Sequence, residues 1–234
     1  MTKDRFIEEI KLLGIDINDD MMDKLDKYYK LLTEWNEKIN LTAITNEEDV
    51  YLKHFYDSAT LCKIIDLKED LSLCDVGTGA GFPGLVLKIL FPNLKIVLVD
   101  ALEKRIKFLN IMINELGLKD IETVHERSEI FAKNNRERFD IVTARAVANL
   151  STLSEYTVPM VKVGKYFIPM KAIITEELEN ASHAIKELNL EIEEKLEFNL
   201  PIEGSVRNLI KFKKTSKTNA KYPRSFSEMK KRPL

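Results

Sequence analysis

The chain has 234 residues, 44% hydrophobic and 32% charged, with a formal net charge of -2, a composition that fits one globular domain with a substantial core and excludes a disordered or fibrous chain. No apolar run is long enough to cross a bilayer and Met1-Thr2-Lys3-Asp4-Arg5 opens no secretory signal, so a cytoplasmic protein without membrane contact is expected. Cys62 and Cys74 are the only cysteines and lack metal-type spacing, which argues against structural disulfides and zinc.

From Asp19 to Ile39 the apolar positions Met22, Leu25, Tyr29, Leu32, Trp35 and Ile39 recur every three or four residues, the mark of a helix with one buried face, and Trp35 is read as core. Asn46, able to accept from the amide near Asp49, starts a second helix carrying Val50, Leu52, Phe55, Ala59 and Leu61. Beyond residue 70 the pattern changes. Short apolar runs at Leu71–Val76, Lys95–Val99, Ile121–Val124, Phe139–Ala144 and Lys165–Met170 read as strands, and Pro83–Phe91, Glu103–Leu116 and Thr175–Leu188 between them as helices. Continuous apolar strands alternating with helices predict a parallel sheet covered on both faces. Leu190–Phe198 and Val206–Lys213, joined by Pro201-Ile202-Glu203-Gly204, predict a closing antiparallel hairpin. The expected organisation is α/β and Rossmann-like: a helical N-terminal extension (1–70), a cofactor-binding domain (71–213) and a basic C-terminal tail (214–234). From Ser205 onward ten Lys or Arg face one acid, Glu228, so the rest of the chain is net acidic; this asymmetry points to a polyanionic partner or to a solvated charged tail.

The run Asp75-Val76-Gly77-Thr78-Gly79-Ala80-Gly81-Phe82-Pro83-Gly84 passes from strand to helix, and its glycines let a flat cofactor lie against the main chain. Gly79 to Gly84 satisfies the dinucleotide pattern G-x-G-x-x-G, and Asp100 closes the second strand where an acid can bond ribose hydroxyls. Asp75 discriminates between cofactors: beside the loop its carboxylate favours a sulfonium cation and repels a pyrophosphate, which points to S-adenosylmethionine over NAD(P). Of the methyl acceptors, an exocyclic amine is disfavoured because the chain has no Pro-Pro motif, and pyrimidine C5 because no cysteine sits in a substrate loop. Arg145, at the end of the fourth strand, suits a phosphate, a guanine edge or a cofactor carboxylate, with a surface ion pair as the alternative. Guanine N7 carries a lone pair and no proton, so its methylation requires alignment and no general base.

At this point the chain resembles the bacterial 16S rRNA guanine-N7 methyltransferases, also called glucose-inhibited division protein B. The resemblance rests on Trp35-Asn36-Glu37-Lys38-Ile39-Asn40-Leu41-Thr42, Lys53-His54-Phe55-Tyr56-Asp57-Ser58, the Asp75–Gly84 loop, Lys104-Arg105-Ile106-Lys107-Phe108-Leu109, Ala144-Arg145-Ala146 and Tyr222-Pro223-Arg224 with a terminal Pro233-Leu234. It implies a class I S-adenosylmethionine-dependent methyltransferase acting on guanine 527 (usual rRNA numbering) of 16S ribosomal RNA in the small ribosomal subunit; a monomer without metal is expected. It also implies that Gly77, Phe82, Ser128, Glu129 and Arg145 line the cofactor site with Asp100 at the ribose, alongside Asp75, Gly79 and Gly81 of the loop. Arg127 and Arg207, with Arg145, match arginines that serve RNA binding or catalysis. Lys171 also matches a family position. The chain departs from the family pattern at Asp100-Ala101-Leu102-Glu103, at Ala172, and at Ser225–Met229 in the tail. Two other readings stay open: a non-catalytic RNA-binding module that retains the pocket, and an NAD(P)-dependent oxidoreductase.

Overall fold

The structure is a computed structural model and describes every residue except 146, 147 and 173. Ala146 and Val147 of the stretch after the fourth strand therefore lie outside the described residues. The chain opens with α1 (Lys3–Leu12), capped by Thr2 and not singled out by the sequence pattern. α2 (Asp19–Ile39) has the expected bounds, set by the Asn18 side chain at its start and by left-handed Asn40 at its end. Its buried face differs by one position, since Leu25, Tyr28 and Leu32 are buried while Met22, Tyr29, Trp35 and Ile39 only rest against the core. A period of 3.6 accepts either tyrosine; the Tyr28 hydroxyl decides it by reaching the Ala80 carbonyl at 2.6 Å.

Asn46 Oδ1 accepts from Asp49 N as expected, but the helix that follows is not one regular α-helix. α3 (Glu47–Val50) widens into a π-helix over Tyr51–Tyr56, continues through α4 (Asp57–Ala59) and tightens to a 3-10 turn at Thr60–Lys63. Wide turns of this kind concentrate at functional sites because they turn consecutive side chains toward one place.

β1 (Ser72–Val76), β2 (Lys95–Asp100), β3 (Ile121–His125), β4 (Phe139–Arg145), β5 (Val161–Lys171), β6 (Leu190–Asn199) and β7 (Val206–Lys214) form one seven-stranded sheet in the order β3-β2-β1-β4-β5-β7-β6. β1 to β5 are parallel, and β7 runs antiparallel to both β5 and β6. α5 (Gly84–Leu90), α6 (Glu103–Glu115), α7 (Ser128–Asn134), α8 (Leu150–Thr157), α9 (Thr175–Asn180) and α10 (Ser182–Glu187) connect the strands. The stretch expected as one helix from Thr175 to Leu188 is thus two, broken at Ala181. Side chains alternate along each strand. Leu73, Leu98, Ile141 and Ile168 join the cluster under α5, α6 and the N-terminal helices, while Cys74, Val97, Val142 and Phe167 join the one under α7, α8 and α10.

The C-terminal chain is bound to that second face, ending in α11 (Phe226–Lys231). Tyr222 is buried with its hydroxyl on Glu187, Met229 is fully buried, and Arg136 donates to the carbonyls of Thr218 and Tyr222. Arg224 grips the fully buried Glu155 with Nε and Nη2 at 2.8 and 2.6 Å. Lys214 is buried as well; its ammonium donates to Val158 O and Val161 O, and burial draws its pKa down to about 8. Lys211 and Lys221 pair with Glu193 and Glu187. Much of the positive charge that pointed to a polyanion is therefore matched within the fold, leaving Lys230 and Lys231 exposed on α11 and Arg232 exposed at its end.

Candidate functional site

The loop after β1 lies at the carboxyl ends of the strands, where parallel sheets open a crevice. Gly77 N and Thr78 N donate to Val99 O, tying the loop to β2. Gly79 has φ +62° and a Cβ there would meet open space, so this turn leaves room for a ligand against the main chain. Its amide donates to Asp100 Oδ2 at 3.0 Å, where Arg105 Nη1 also donates, and Asp100 Oδ1 accepts from Leu102 N. A cavity of about 480 Å³ opens at this point, and Gly77, Gly79, Phe82, Asp100, Arg127, Ser128, Glu129 and Arg145 are all in its wall. Thr42, Arg105, Tyr156 and Phe226 line it too, from parts of the chain the motif reading did not connect to it.

Three expected residues stand elsewhere. Asp75 does not face the cavity: it is fully buried beneath the loop, its Oδ2 accepting from Thr78 Oγ1 at 2.6 Å and Gly84 N at 2.9 Å, and its Oδ1 has no partner among the described residues. The carboxylate braces its own loop, so the argument that it faces a sulfonium does not hold. Gly81 also lies outside the wall; a Cβ there would sit 2.7 Å from the Tyr28 hydroxyl and 2.5 Å from Leu85 Cδ1, so the glycine makes way for packing and not for a ligand. Arg207 lines a second cavity instead.

Burial pushes the Asp75 carboxyl up to about 6, against the opposing bonds from Thr78 and Gly84. The folded chain then holds this proton more tightly than the unfolded chain, so the contribution of Asp75 to stability is full below pH 3.8 and declines as pH rises through about 6. Urea midpoints are expected to show this decline in the native chain and to lose it in Asp75→Asn. A Tyr28→Phe variant is expected to lose about 1 to 2 kcal/mol in the same assay, because Ala80 O is left buried without its donor. An unchanged midpoint would show the hydroxyl to be dispensable.

The second cavity, about 590 Å³, is walled by Ile44, Asp57, Met170, Phe198, Arg207 and Leu209, and it shares His54 and Arg145 with the first. Arg145 is not a surface ion pair: its side chain is 14% exposed and is held by the π-helical turn. Nη1 donates to Lys53 O at 2.9 Å and to Asp57 Oδ2 at 3.1 Å, Nη2 donates to His54 Nδ1 at 3.0 Å, and the guanidinium lies 5.1 Å from the Phe82 ring centre. Asp57 Oδ1 accepts from Arg207 Nε at 3.0 Å, so one buried carboxylate joins two arginines. A guanidinium only donates, so His54 Nδ1 is the lone-pair nitrogen, and Nε2–H donates to Thr42 Oγ1 at 2.8 Å. The ring stacks on Phe82 at 4.3 Å, and burial, then the Arg145 charge, pull its pKa down to about 3. His54 is a neutral hydrogen-bonding joint.

His125 Nε2 meets Ala101 O, and His183 is exposed. Lys171 donates to Ala148 O and pairs with Glu177 at 2.9 Å. Of the two tail aromatics, Tyr222 anchors the tail and Phe226 faces the first cavity, with the Arg127 guanidinium 5.8 Å from its ring centre. Among the described residues no group of three His, Cys, Asp or Glu is placed to hold a metal ion, and no helix is long and apolar enough to cross a membrane.

The family model described as rRNA small subunit methyltransferase G matches residues 21–203. A protein of that name from Exiguobacterium sibiricum is 47% identical over the full length of both chains, and one from Acetivibrio thermocellus is 51% identical over 97% of this chain and 95% of its own. Among solved structures, an S-adenosylmethionine-dependent methyltransferase from Aquifex aeolicus aligns with TM-score 0.51 at 19% identity, covering 71% of this chain and 93% of its own. The precorrin-6y C5,15-methyltransferase of Geobacter metallireducens aligns with TM-score 0.52 at 15% identity, over 73% and 90%. These two likenesses show the fold alone.

Proposed function

The chain belongs to the rRNA small subunit methyltransferase G family, and from that premise we propose that it methylates N7 of guanine 527 in 16S ribosomal RNA, using S-adenosylmethionine. The observation that carries the reading is a pair of adjoining cavities, one beside the glycine loop and one beside it in the crevice, meeting at His54 and Arg145. The first fits the cofactor: the open side of Gly79 admits a ligand to the backbone, Asp100 Oδ1 keeps a lone pair for a ribose hydroxyl, and Arg105 Nε is a buried donor without a partner among the described residues. Leu102, Ser128, Glu129, Thr42 and Phe82 would hold the rest of the ligand.

When bound, the cofactor would supply an electrophilic methyl carbon on a sulfonium sulfur, and guanine N7 offers it a lone pair that carries no proton. The chain's work is therefore alignment and exclusion of water. Neutral His54 offers no base and none is needed. The helical extension, 1–70, closes the cavity with Leu41 and Thr42, and the tail, 214–234, brings Phe226 to its mouth. Exposed Lys230, Lys231 and Arg232 supply charge for RNA phosphates.

The test is transfer of labelled methyl from S-adenosylmethionine to small subunits and 16S rRNA from a strain lacking the modification, followed by nucleoside analysis. Labelled 7-methylguanosine is the expected product. Label in any other nucleoside, or none while the cofactor binds, would overturn the proposal.

A further inference from the structure

Arg145 has five N–H groups. Three are taken by Lys53 O, Asp57 Oδ2 and His54 Nδ1, which leaves Nε–H and one Nη2–H without partners among the described residues, on a side chain that borders both cavities. The three acceptors all come from one π-helical turn and its immediate end, so the sequence Lys53-His54-Phe55-Tyr56-Asp57 is a clamp built around this guanidinium. Thr42 braces His54 from behind, and Arg207 braces Asp57. The second cavity beyond the clamp has apolar walls from Ile44, Met170, Phe198 and Leu209, which suits a flat ring turned out of an RNA strand.

We propose that this second cavity is the acceptor-base site and that the Lys53–His54–Asp57 clamp aims the free donors of Arg145 at guanine O6, while holding them off N7. The inference rests on the guanine-N7 reading above. An unrestrained arginine meeting the Hoogsteen edge of guanine bonds O6 and N7 together, the commonest specific contact to this base. That contact would occupy the lone pair that must receive the methyl. With three of its N–H groups fixed by the clamp, Arg145 has two donors left; in the proposed pose they meet O6 and leave N7 open to the first cavity. Adenine is rejected at the same point, because its amino group brings N–H against N–H. Asp57 completes the arrangement electrostatically: paired with Arg145 at 3.1 Å, it offsets part of the positive charge that Arg145 and Arg207 bring to the wall where the purine becomes cationic. In this scheme Arg145 touches the substrate, and His54 and Asp57 are positioning residues.

Two measurements test the site. In methyl-labelled protein saturated with S-adenosylhomocysteine, guanosine 5′-monophosphate is expected to shift the methyl signals of Ile44, Met170 and Leu209, with adenosine 5′-monophosphate shifting them much less. Shifts elsewhere, equal shifts with both nucleotides, or none at all would overturn the proposal. In the second, His54→Phe keeps the stack on Phe82 but removes the acceptor, whereas His54→Asn keeps an acceptor near the Nδ1 position. His54→Phe is expected to lower kcat on undermethylated small subunits about 30-fold or more, with cofactor affinity within about threefold of native, and His54→Asn to restore most of that loss. Native turnover in His54→Phe, or an equal loss in both variants, would overturn the positioning role. Failure of the underlying reading is distinguishable, since the unmodified protein would then form no 7-methylguanosine.

Discussion

Gly81→Val is expected to lower the stability of the fold by about 4 kcal/mol and to abolish cofactor binding. Two effects combine. The residue sits at φ +102°, which side chains rarely adopt, and the space where its Cβ would project is filled by the Tyr28 hydroxyl and Leu85. Neither neighbour yields easily, because Tyr28 is fully buried, bonded to Ala80 O and stacked at 5.4 Å on Phe82. Displacing it moves both Ala80 and Phe82, which line the first cavity. The urea midpoint and the calorimetric affinity for S-adenosylmethionine measure the two effects. A variant within about 1 kcal/mol of native that still binds the cofactor would show that the loop can rearrange around the added methyls. Gly79→Ala, whose Cβ meets nothing within 4 Å, serves as the contrast: strain remains at its φ of +62° but no packing is displaced.

Asp57→Ala is expected to lower stability by about 3 kcal/mol, the usual cost of leaving a buried charge without its partner. Asp57 is 4% exposed and is the carboxylate between Arg145 and Arg207, so its removal leaves two guanidinium groups facing each other. Asp57→Asn, which retains an acceptor, is expected to lose less. A double-mutant cycle with Arg207→Ala separates the pair from its surroundings: the coupling is expected near 1 kcal/mol or above, and additive losses would show that the contact contributes nothing. Methyl transfer is expected to fall in Asp57→Ala by more than stability explains at a temperature where the variant stays folded.

The layout of the sheet was legible because its signals are local. An apolar strand, a glycine turn and an amphipathic helix each declare themselves within about a dozen residues, and the closing hairpin followed from Pro201 to Gly204 between two alternating runs. Its register, Asn199 opposite Val206, is where that turn places it. Most of the wall of the first cavity follows the ends of β1, β2 and β3; the glycine loop and Asp100 were legible locally, while Arg127, Ser128 and Glu129 came from the family resemblance. Three kinds of feature were not legible. The π-helical turn defeats a 3.6-residue period, so the convergence of Lys53, His54 and Asp57 on one guanidinium has no signature in spacing. Asp75 was misjudged because proximity to a loop does not tell whether a carboxylate faces the ligand or bonds the loop from below; the deciding donors, Thr78 Oγ1 and Gly84 N, belong to the turn geometry. The tail was read by its charge, whereas the residues that fix it, Arg136, Glu155 and Glu187, are remote in sequence. Pairings over such distances appear only when the chain is closed on itself.

The order of strands along the sheet differs from the order in which a ribosome makes them. β7 lies between β5 and β6, so β6 emerges before the strand that is its neighbour in the sheet, and the outer edge of β5 stays open until β7 slots in. Arg207 rides on that last strand, 150 positions after the Asp57 it bonds, and the Arg224 anchor follows later still. A nascent chain can form the glycine loop and β1 to β4 early, yet it lacks the carboxylate's second arginine and one wall of the second cavity until β7 has been made. The second cavity is thus completed only after the parallel strands are in place, and a chain without β7 lacks part of the wall proposed above to hold the acceptor base.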